Sequence, residues 1–186
     1  MNLLIKIYFD DINLYDIEQL LGIFKKTINN SGTTKIYLTT NDLNLENYDF
    51  SYLNKINVPS MINYKLDELD WDIVLPITRP CIISYNFDNI IKKKYEEKFN
   101  DLDGVLLLND AGSDIKYPVV GRKYYDRFGY LYNPAYNKKN YEEEFIDILN
   151  INNKVYYLDG IVKTIPLKSD DDNIYEMRKK LNFGII

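Results

Sequence analysis

The sequence predicts an α/β fold in which a mostly parallel central sheet is flanked by helices. Short runs of apolar and β-branched residues alternate along the chain with segments whose apolar residues recur every three or four positions. Most of the apolar runs end in acidic, amide or hydroxyl residues, as strands do where they lead into loops. The length of 186 residues suits one well-buried core, so we expect a single domain over residues 1–186.

Composition limits the chemistry that the protein can perform. The chain contains one cysteine and no histidine. An internal disulfide, a multi-cysteine metal site and imidazole catalysis are therefore excluded, and carboxylates, lysine, arginine, tyrosine and hydroxyls remain. The net charge of −5 argues against general nucleic-acid binding, which needs a basic face.

The sequence also predicts a cytoplasmic protein. No window stays apolar for the roughly 18 to 20 residues that a membrane span needs. The apolar N-terminus is short and lacks a small-residue cleavage site, so it resembles a first strand more than a signal peptide.

The first elements predict a β-α-β unit. Residues 3–9 form an apolar run, broken only by Lys6, that should be a buried strand. Asp16 is a candidate cap for a helix with apolar residues at helical spacing, and residues 29–32 should end that helix. Residues 35–39 form the next strand. A helix between two strands favours parallel pairing.

The middle of the chain predicts two further strands separated by a helix. Residues 44–60 show no sustained period, so we expect a loop with at most a short edge strand. Residues 61–69 have the pattern of a short helix, and residues 70–80 contain the next apolar run. A helix capped at its start by an aspartate should cover residues 88–99, and residues 105–108 should form a buried strand.

The last part of the chain predicts a mixture of helices and strands. In order, these are a short helix (123–128), an aromatic loop (130–136), a helix (141–149), two strands (155–158 and 161–165) and a final helix from Asp171. The pair Asp159-Gly160 is a hairpin signal, so the two strands should lie antiparallel to each other.

Three segments carry a similarity to a known family. They are residues 70–75, residues 102–106 and above all residues 120–134, with the sequence Val-Gly-Arg-Lys-Tyr-Tyr-Asp-Arg-Phe-Gly-Tyr-Leu-Tyr-Asn-Pro. With residues 142–145 and 172–183, the chain resembles a group of viral and bacterial glycosyltransferases of the GT-A type along most of its length.

The resemblance implies a Rossmann-like sheet that binds a nucleotide sugar at the carboxyl ends of its strands. It also implies a divalent cation, held at an aspartate motif beside the diphosphate. The expected reaction is transfer of a hexosyl or pentosyl group to a glycan, a protein or a modified nucleobase. Nucleic acid is then expected only as an acceptor.

The chain departs from this group at both positions that hold the cation. Thr78-Arg79-Pro80 stands where the group has serine-aspartate-aspartate, and near Thr164 the expected histidine is missing. Three interpretations stay open. Arg79 neutralises the diphosphate without metal, since its guanidinium binds phosphate at two points; or catalysis is lost and the fold serves binding or assembly; or the metal site is of an unfamiliar kind.

Candidate residues for the nucleoside follow the first two strands. Asp10 and Asp11 end the first strand and Asp42 follows the second, where ribose hydroxyls need an acceptor. Helix capping and solvated turns are the alternatives for all three.

Candidate residues for the diphosphate and sugar follow the two later strands. Thr78 and Arg79 come after one strand, and Asn109 and Asp110 after the other, so the four should meet at one edge of the sheet. The alternatives are a surface ion pair of Arg79 with Asp70 or Asp72 and a loop cap for Asn109 and Asp110. Arg122, at the start of a short helix, is a further candidate for phosphate contact.

Glu142 and Glu143 are the candidate catalytic bases. For an inverting transfer, a carboxylate must take the proton of the acceptor hydroxyl, and burial can raise a glutamate pKa towards neutrality. The alternative is structural, because acidic residues in the first turn of a helix interact favourably with its dipole.

Overall fold

One sheet contains every strand that the structure describes. The structure is a computed structural model, and it describes residues 1–8, 14–40, 50–52, 57–110, 114–136 and 140–164. The strands are β1 (Leu3–Tyr8), β2 (Thr34–Thr40), β3 (Phe50–Tyr52), β4 (Ile73–Ile77), β5 (Cys81–Ile83), β6 (Val105–Asp110), β7 (Lys116–Gly121) and β8 (Val155–Thr164). Their order across the sheet is β3-β2-β1-β4-β7-β6-β8-β5.

The predicted α/β class with a mostly parallel sheet is confirmed. Of the seven strand pairings within the described ranges, four are parallel: β3 with β2, β2 with β1, β1 with β4, and β6 with β8. The three antiparallel pairings involve β7 and β5. The sheet thus has a parallel half built from the N-terminal β-α-β unit and a mixed half.

Helices cover both faces of the sheet. They are α1 (Leu14–Thr27), α2 (Val58–Asn63), α3 (Phe87–Lys98), α4 (Arg122–Asp126) and α5 (Tyr141–Asn152). Helices α1 and α3 pack on one face through residues such as Phe24 and Tyr95. Helices α2, α4 and α5 pack on the other through residues such as Met61, Tyr125 and Phe145. No helix within the described ranges is long and apolar enough to cross a membrane.

Two helix starts differ from the sequence prediction. Helix α1 begins at Leu14, so Asp16 lies in its first turn and not at the cap position. Helix α2 begins at Val58, three residues before the predicted start, because Asn57 caps it and accepts a hydrogen bond from the backbone N–H of Ser60 (2.9 Å). The final helix predicted from Asp171 lies outside the described residues.

Asp88 does not cap α3 as predicted. Its buried carboxylate instead accepts hydrogen bonds from the backbone N–H groups of Asn29 (3.0 Å) and Asn30 (2.9 Å) and from the hydroxyl of Thr34 (3.2 Å). Asp88 therefore joins the start of α3 to the turn that links α1 and β2.

The predicted hairpin at Asp159-Gly160 is wrong. Val155–Thr164 is one strand, and residues 155–159 pair in parallel with β6. A register shift follows at Gly160, whose φ of 77° suits glycine, and residues 162–164 then pair with β5. An Asp-Gly pair forms a hairpin turn only when the segments on either side of it pair with each other. Here the segment before it pairs with β6 and the segment after it pairs with β5.

The sheet opens between β4 and β7 towards the end of β4. The pairing of these strands ends at Val74 and Val120, and the same register carried two residues further puts Pro76 opposite Pro118. The backbone N–H of Arg122 donates to the carbonyl of Asp72, the residue before β4 (2.8 Å). Every second residue of a strand directs its backbone nitrogen to the same neighbouring strand, so the nitrogen of residue 118 also faces β4. Neither proline has an N–H to donate, so this ladder cannot continue.

Candidate functional site

The candidate site lies at the end of the sheet where the parallel strands have their carboxyl termini, which we call the carboxyl rim. It is formed by the ends of β4, β6 and β8 and the start of β7. Strand β7 runs antiparallel to both β4 and β6, and β8 runs parallel to β6, so these four termini meet at the same edge. In α/β sheets, ligands bind at such an edge.

Arg79 forms an ion pair with Glu142 at the carboxyl rim. The guanidinium Nη2 of Arg79 donates a hydrogen bond to Oε1 of Glu142 in the first turn of α5. Thr78, the residue before Arg79, acts on Tyr141, the residue before Glu142, and partly offsets the rise in the pKa of Tyr141 that burial causes. The segment after β4 therefore meets the start of α5 at this ion pair.

The electrostatics of this pair favour a permanent charge on Arg79. Partial burial opposes the charge, but the carboxylate of Glu142 and its hydrogen bond outweigh burial and raise the pKa of Arg79. Burial and the charge of Glu142 also raise the pKa of Tyr141 to about 12, so its hydroxyl stays protonated at neutral pH. The rim thus presents a fixed cation beside neutral hydroxyls.

Asp110 forms a second polar group at the same rim. Its buried Oδ2 accepts a hydrogen bond from the backbone N–H of Thr164 (2.9 Å), and the hydroxyls of Thr164 and Tyr117 are 2.9 Å apart. The charges of both Arg79 and Asp110 act on the Tyr117 hydroxyl. Arg79 and Asp110 therefore both lie near the Tyr117 hydroxyl, and the binding roles of Thr78, Arg79 and Asp110 stay predictions.

The other two predicted residues differ in position. Asn109 lies at the end of β6, directly across from Lys116 of β7, and its Nδ2 donates to Oδ1 of Asp159 (2.6 Å). Arg122 lies at the amino end of β4, at the other edge of the sheet, where its guanidinium stacks over the ring of Trp71 (4.7 Å). The structure does not bring Arg122 near Arg79.

A pocket of about 340 Å³ adjoins the ion pair. Lys116 and Pro118 of β7 line one side, and the buried ring of Tyr132 lines another. Helix α5 contributes its outer face, including both candidate bases, Glu142 and Glu143. Pro118, which lies beyond the last pair of the β4–β7 ladder, is one of the lining residues.

The rim residues do not fit the divalent cation that the sequence resemblance implies. Across the described residues, no group of three or more histidine, cysteine, aspartate or glutamate side chains could hold a metal ion. At the rim itself, the carboxylate of Glu142 accepts a hydrogen bond from Arg79, and the carboxylate of Asp110 accepts one from the backbone N–H of Thr164. Asp10, Asp11 and Asp42 lie outside the described residues.

Sequence reasoning missed two residues of the site. The helical spacing of apolar residues predicts Tyr141 only as part of helix α5, although it directly precedes the candidate base Glu142. No sequence pattern marks Lys116 as a site residue. The proline in the following run, Pro118, was the available signal, since a proline there indicates a break in strand pairing.

Comparison with solved structures concerns the fold. TarS of S. aureus superposes with a TM-score of 0.71 at 13% identity over 100% of this chain, and its 1–349 fragment in complex with UDP gives 0.70 at 13% identity. A CMP:2-keto-3-deoxy-manno-octonic acid synthetase complexed with CTP gives 0.61 at 8% identity over the full length of both chains. The fold is GT-A-like.

At these identities the likeness shows the fold alone. The chain spans 40% of the TarS chain and 65% of its 1–349 fragment. No protein-family model matches the sequence, and no curated protein sequence matches it. The GT-A-like fold that the sequence resemblance implied is thus confirmed by structure.

Proposed function

We propose that this protein is a nucleotide-sugar-dependent glycosyltransferase that acts at the carboxyl rim. The observation that carries the proposal is the ion pair of Arg79 and Glu142, the residues that sequence reasoning assigned separately to the diphosphate and to the acceptor proton. A UDP complex of a structure with the same fold supports a nucleotide donor. Asp10, Asp11 and Asp42 are proposed to contact the nucleoside, as the resemblance implies.

In this proposal Arg79 binds the diphosphate of the donor. Its guanidinium is planar and permanently charged, so it can hold two phosphate oxygens and stabilise the charge that develops on the leaving group. The bond between the anomeric carbon and the diphosphate oxygen breaks, and the electron pair leaves with the nucleoside diphosphate.

Glu142 acts as the base in an inverting transfer. When the donor phosphate takes the guanidinium, the carboxylate of Glu142 loses its partner and becomes able to accept a proton. The acceptor hydroxyl then forms the new bond to the anomeric carbon, and its proton goes to Glu142. Glu143, one residue further on α5, is the alternative base.

A non-catalytic binding or scaffold protein is the second candidate. The same ion pair also favours this candidate. Arg79 and Glu142 neutralise each other's charge, so the pair can have the purely structural role of linking α5 to the end of β4. A GT-A-like fold does not by itself imply transfer.

Calorimetric titration with UDP-, GDP- and CDP-linked sugars, with and without manganese, separates these candidates. We expect at least one donor to bind and to be hydrolysed slowly, and Arg79→Ala to weaken binding by at least about tenfold, which is 1.4 kcal/mol. Glu142→Gln should retain donor binding and lose turnover. Binding without turnover would favour the scaffold, and a lack of binding by every nucleotide would contradict the proposal.

Arg127→Ala is the matched control. Arg127 also pairs with a carboxylate, that of Asp103, but this pair lies at the opposite edge of the sheet. The control removes one arginine and one ion pair without touching the rim, so it should leave donor binding unchanged.

A further inference from the structure

The pocket beside the ion pair has a wall formed by one face of helix α5. Glu142, Glu143, Ile146 and Asp147 all line it; Glu142 and Ile146, like Glu143 and Asp147, are four positions apart, so each pair lies side by side on the helix. These side chains face the cavity, while the buried face of α5 packs on the sheet through residues such as Leu149. A cavity of about 340 Å³ is within the range of small-molecule sites.

The lining also includes apolar side chains. Pro118 comes from β7 and the ring of Tyr132 from the segment after α4, and Ile115 joins Ile146 in giving the pocket aliphatic surface. Small-molecule sites combine such apolar lining with a few convergent polar groups. The pocket can therefore hold a ligand that has both an apolar face and a polar group.

The charge of the lining is strongly one-sided. Four carboxylates line the pocket, those of Asp114, Glu142, Glu143 and Asp147, against one ammonium, that of Lys116. Glu143 and Asp147 are four positions apart on the exposed part of α5, and neither has an ion-pair partner within the described part of the chain. Like charges at this spacing destabilise a helix, and a bound cation would remove this effect.

Of the acidic residues on this wall, Glu142 is already paired with Arg79, so Glu143 and Asp147 are the pair on α5 that is left for a ligand. We propose that the pocket binds an ammonium-bearing ligand, with the ammonium between Glu143 and Asp147 and the carbon skeleton against Ile146 and Tyr132. If the proposed transferase function holds, this ligand is the sugar acceptor, and an amino sugar has the required chemistry.

Glucosamine and glucose form a matched pair of probes, since they differ by one ammonium in place of a hydroxyl. Titration at about pH 6, followed by the amide NMR signals of residues 142–147, should give a dissociation constant at least about fivefold lower for glucosamine. The double variant Glu143→Gln/Asp147→Asn should abolish this preference. Lys116→Met should increase it, because it removes the one competing ammonium from the lining.

The control variant Glu68→Gln/Glu96→Gln removes the same net charge from exposed positions outside the pocket and should keep the preference. Equal binding of the two probes, or no binding of either, would overturn the proposal, as would equal loss of preference in the control. A parallel titration with UDP tests the transferase proposal separately, because UDP binding without a glucosamine preference leaves that proposal standing and removes this one.

Discussion

Arg79 and Glu142 are 63 positions apart in the sequence and form an ion pair across the carboxyl rim of the sheet. Their side chains remain 29% and 36% exposed, so solvent screens the attraction between them. A pair of this kind contributes little to folding. It is therefore available for a binding role, in which a phosphate group displaces the carboxylate.

The first prediction concerns the stability of an Arg79 variant. Arg79→Ala should lower the free energy of unfolding by less than about 1 kcal/mol, because the lost pair is partly exposed. Urea denaturation measures this value, and Arg127→Ala provides the comparison. A loss above about 3 kcal/mol would mean that the ion pair mainly holds the fold together.

The second prediction concerns Lys6, which is fully buried in strand β1. Its Nζ donates to the carbonyl of Tyr64 (2.8 Å) and lies 4.1 Å from the ring centre of Tyr37. Burial, followed by the charge of the neighbouring Lys65, lowers its pKa from 10.5 to about 7. Between these two values the unfolded chain binds more protons than the folded one, so the stability of the protein should rise with pH from about 7 to about 10.

Lys6→Met tests this linkage. The variant should be more stable than the natural protein at pH 6 by about 1–3 kcal/mol, less than the pKa shift alone implies because the bond to Tyr64 is lost. The gain should shrink as the pH rises towards 10. Lys35→Met, on the neighbouring strand, replaces an exposed lysine and should show no such trend. A pH-independent difference for Lys6→Met would contradict the prediction.

The third prediction compares two glycines. A Cβ at Gly121 would lie 2.1 Å from the Tyr95 hydroxyl and 2.2 Å from the carbonyl oxygen of Leu102, whereas a Cβ at Gly22 would meet nothing within 4 Å. Gly121→Ala should therefore destabilise the protein by about 3 kcal/mol or more, because backbone must move. Gly22→Ala, inside helix α1, should stabilise it by about 0.5–1 kcal/mol.

Thermal unfolding followed by circular dichroism measures both glycine variants. Both substitutions add one methyl group, so a lower melting temperature for Gly121→Ala and a higher one for Gly22→Ala would show that the surroundings of each glycine decide the effect. An unchanged melting temperature for Gly121→Ala would mean that the turn between β7 and α4 adapts more easily than the packing indicates.

The fourth prediction concerns Asp88 and acid stability. Burial alone would raise its pKa, but hydrogen bonds from Asn29, Asn30 and Thr34 outweigh burial and lower the pKa below 3.8. The stabilisation from these bonds is present above pH 3.8 and is lost as the pH falls through the lowered value. Asp88→Asn should cost about 1–2 kcal/mol at pH 7 and less at pH 2.5.

Asp70→Asn is the control for Asp88, since the Asp70 carboxylate is 77% exposed and should contribute little at any pH. Urea denaturation at several pH values gives the comparison. A constant difference between Asp88→Asn and the natural protein from pH 7 to pH 2.5 would contradict the assigned hydrogen bonds.

Sequence periodicity predicted most helices and strands because their patterns reflect local burial. The run at residues 3–9 became β1, and the helical spacing after Asp88 became α3, each with boundaries near those expected. The predictions are wrong where one local sequence pattern is compatible with two different structures. Asp159-Gly160 indicated a hairpin, and Asp88 indicated a cap, but each residue found its partners in distant parts of the chain.

The sequence by itself determined the α/β class, the parallel N-terminal half and the placing of Thr78, Arg79 and Asp110 at strand ends, since these depend on alternation and spacing along the chain. Only the tertiary structure decided that β7 enters between β4 and β6, that Pro76 and Pro118 open the sheet there, and that Glu142 meets Arg79. Strand order and contacts between distant helices depend on how whole elements bury their faces against one another, and no local pattern encodes that choice.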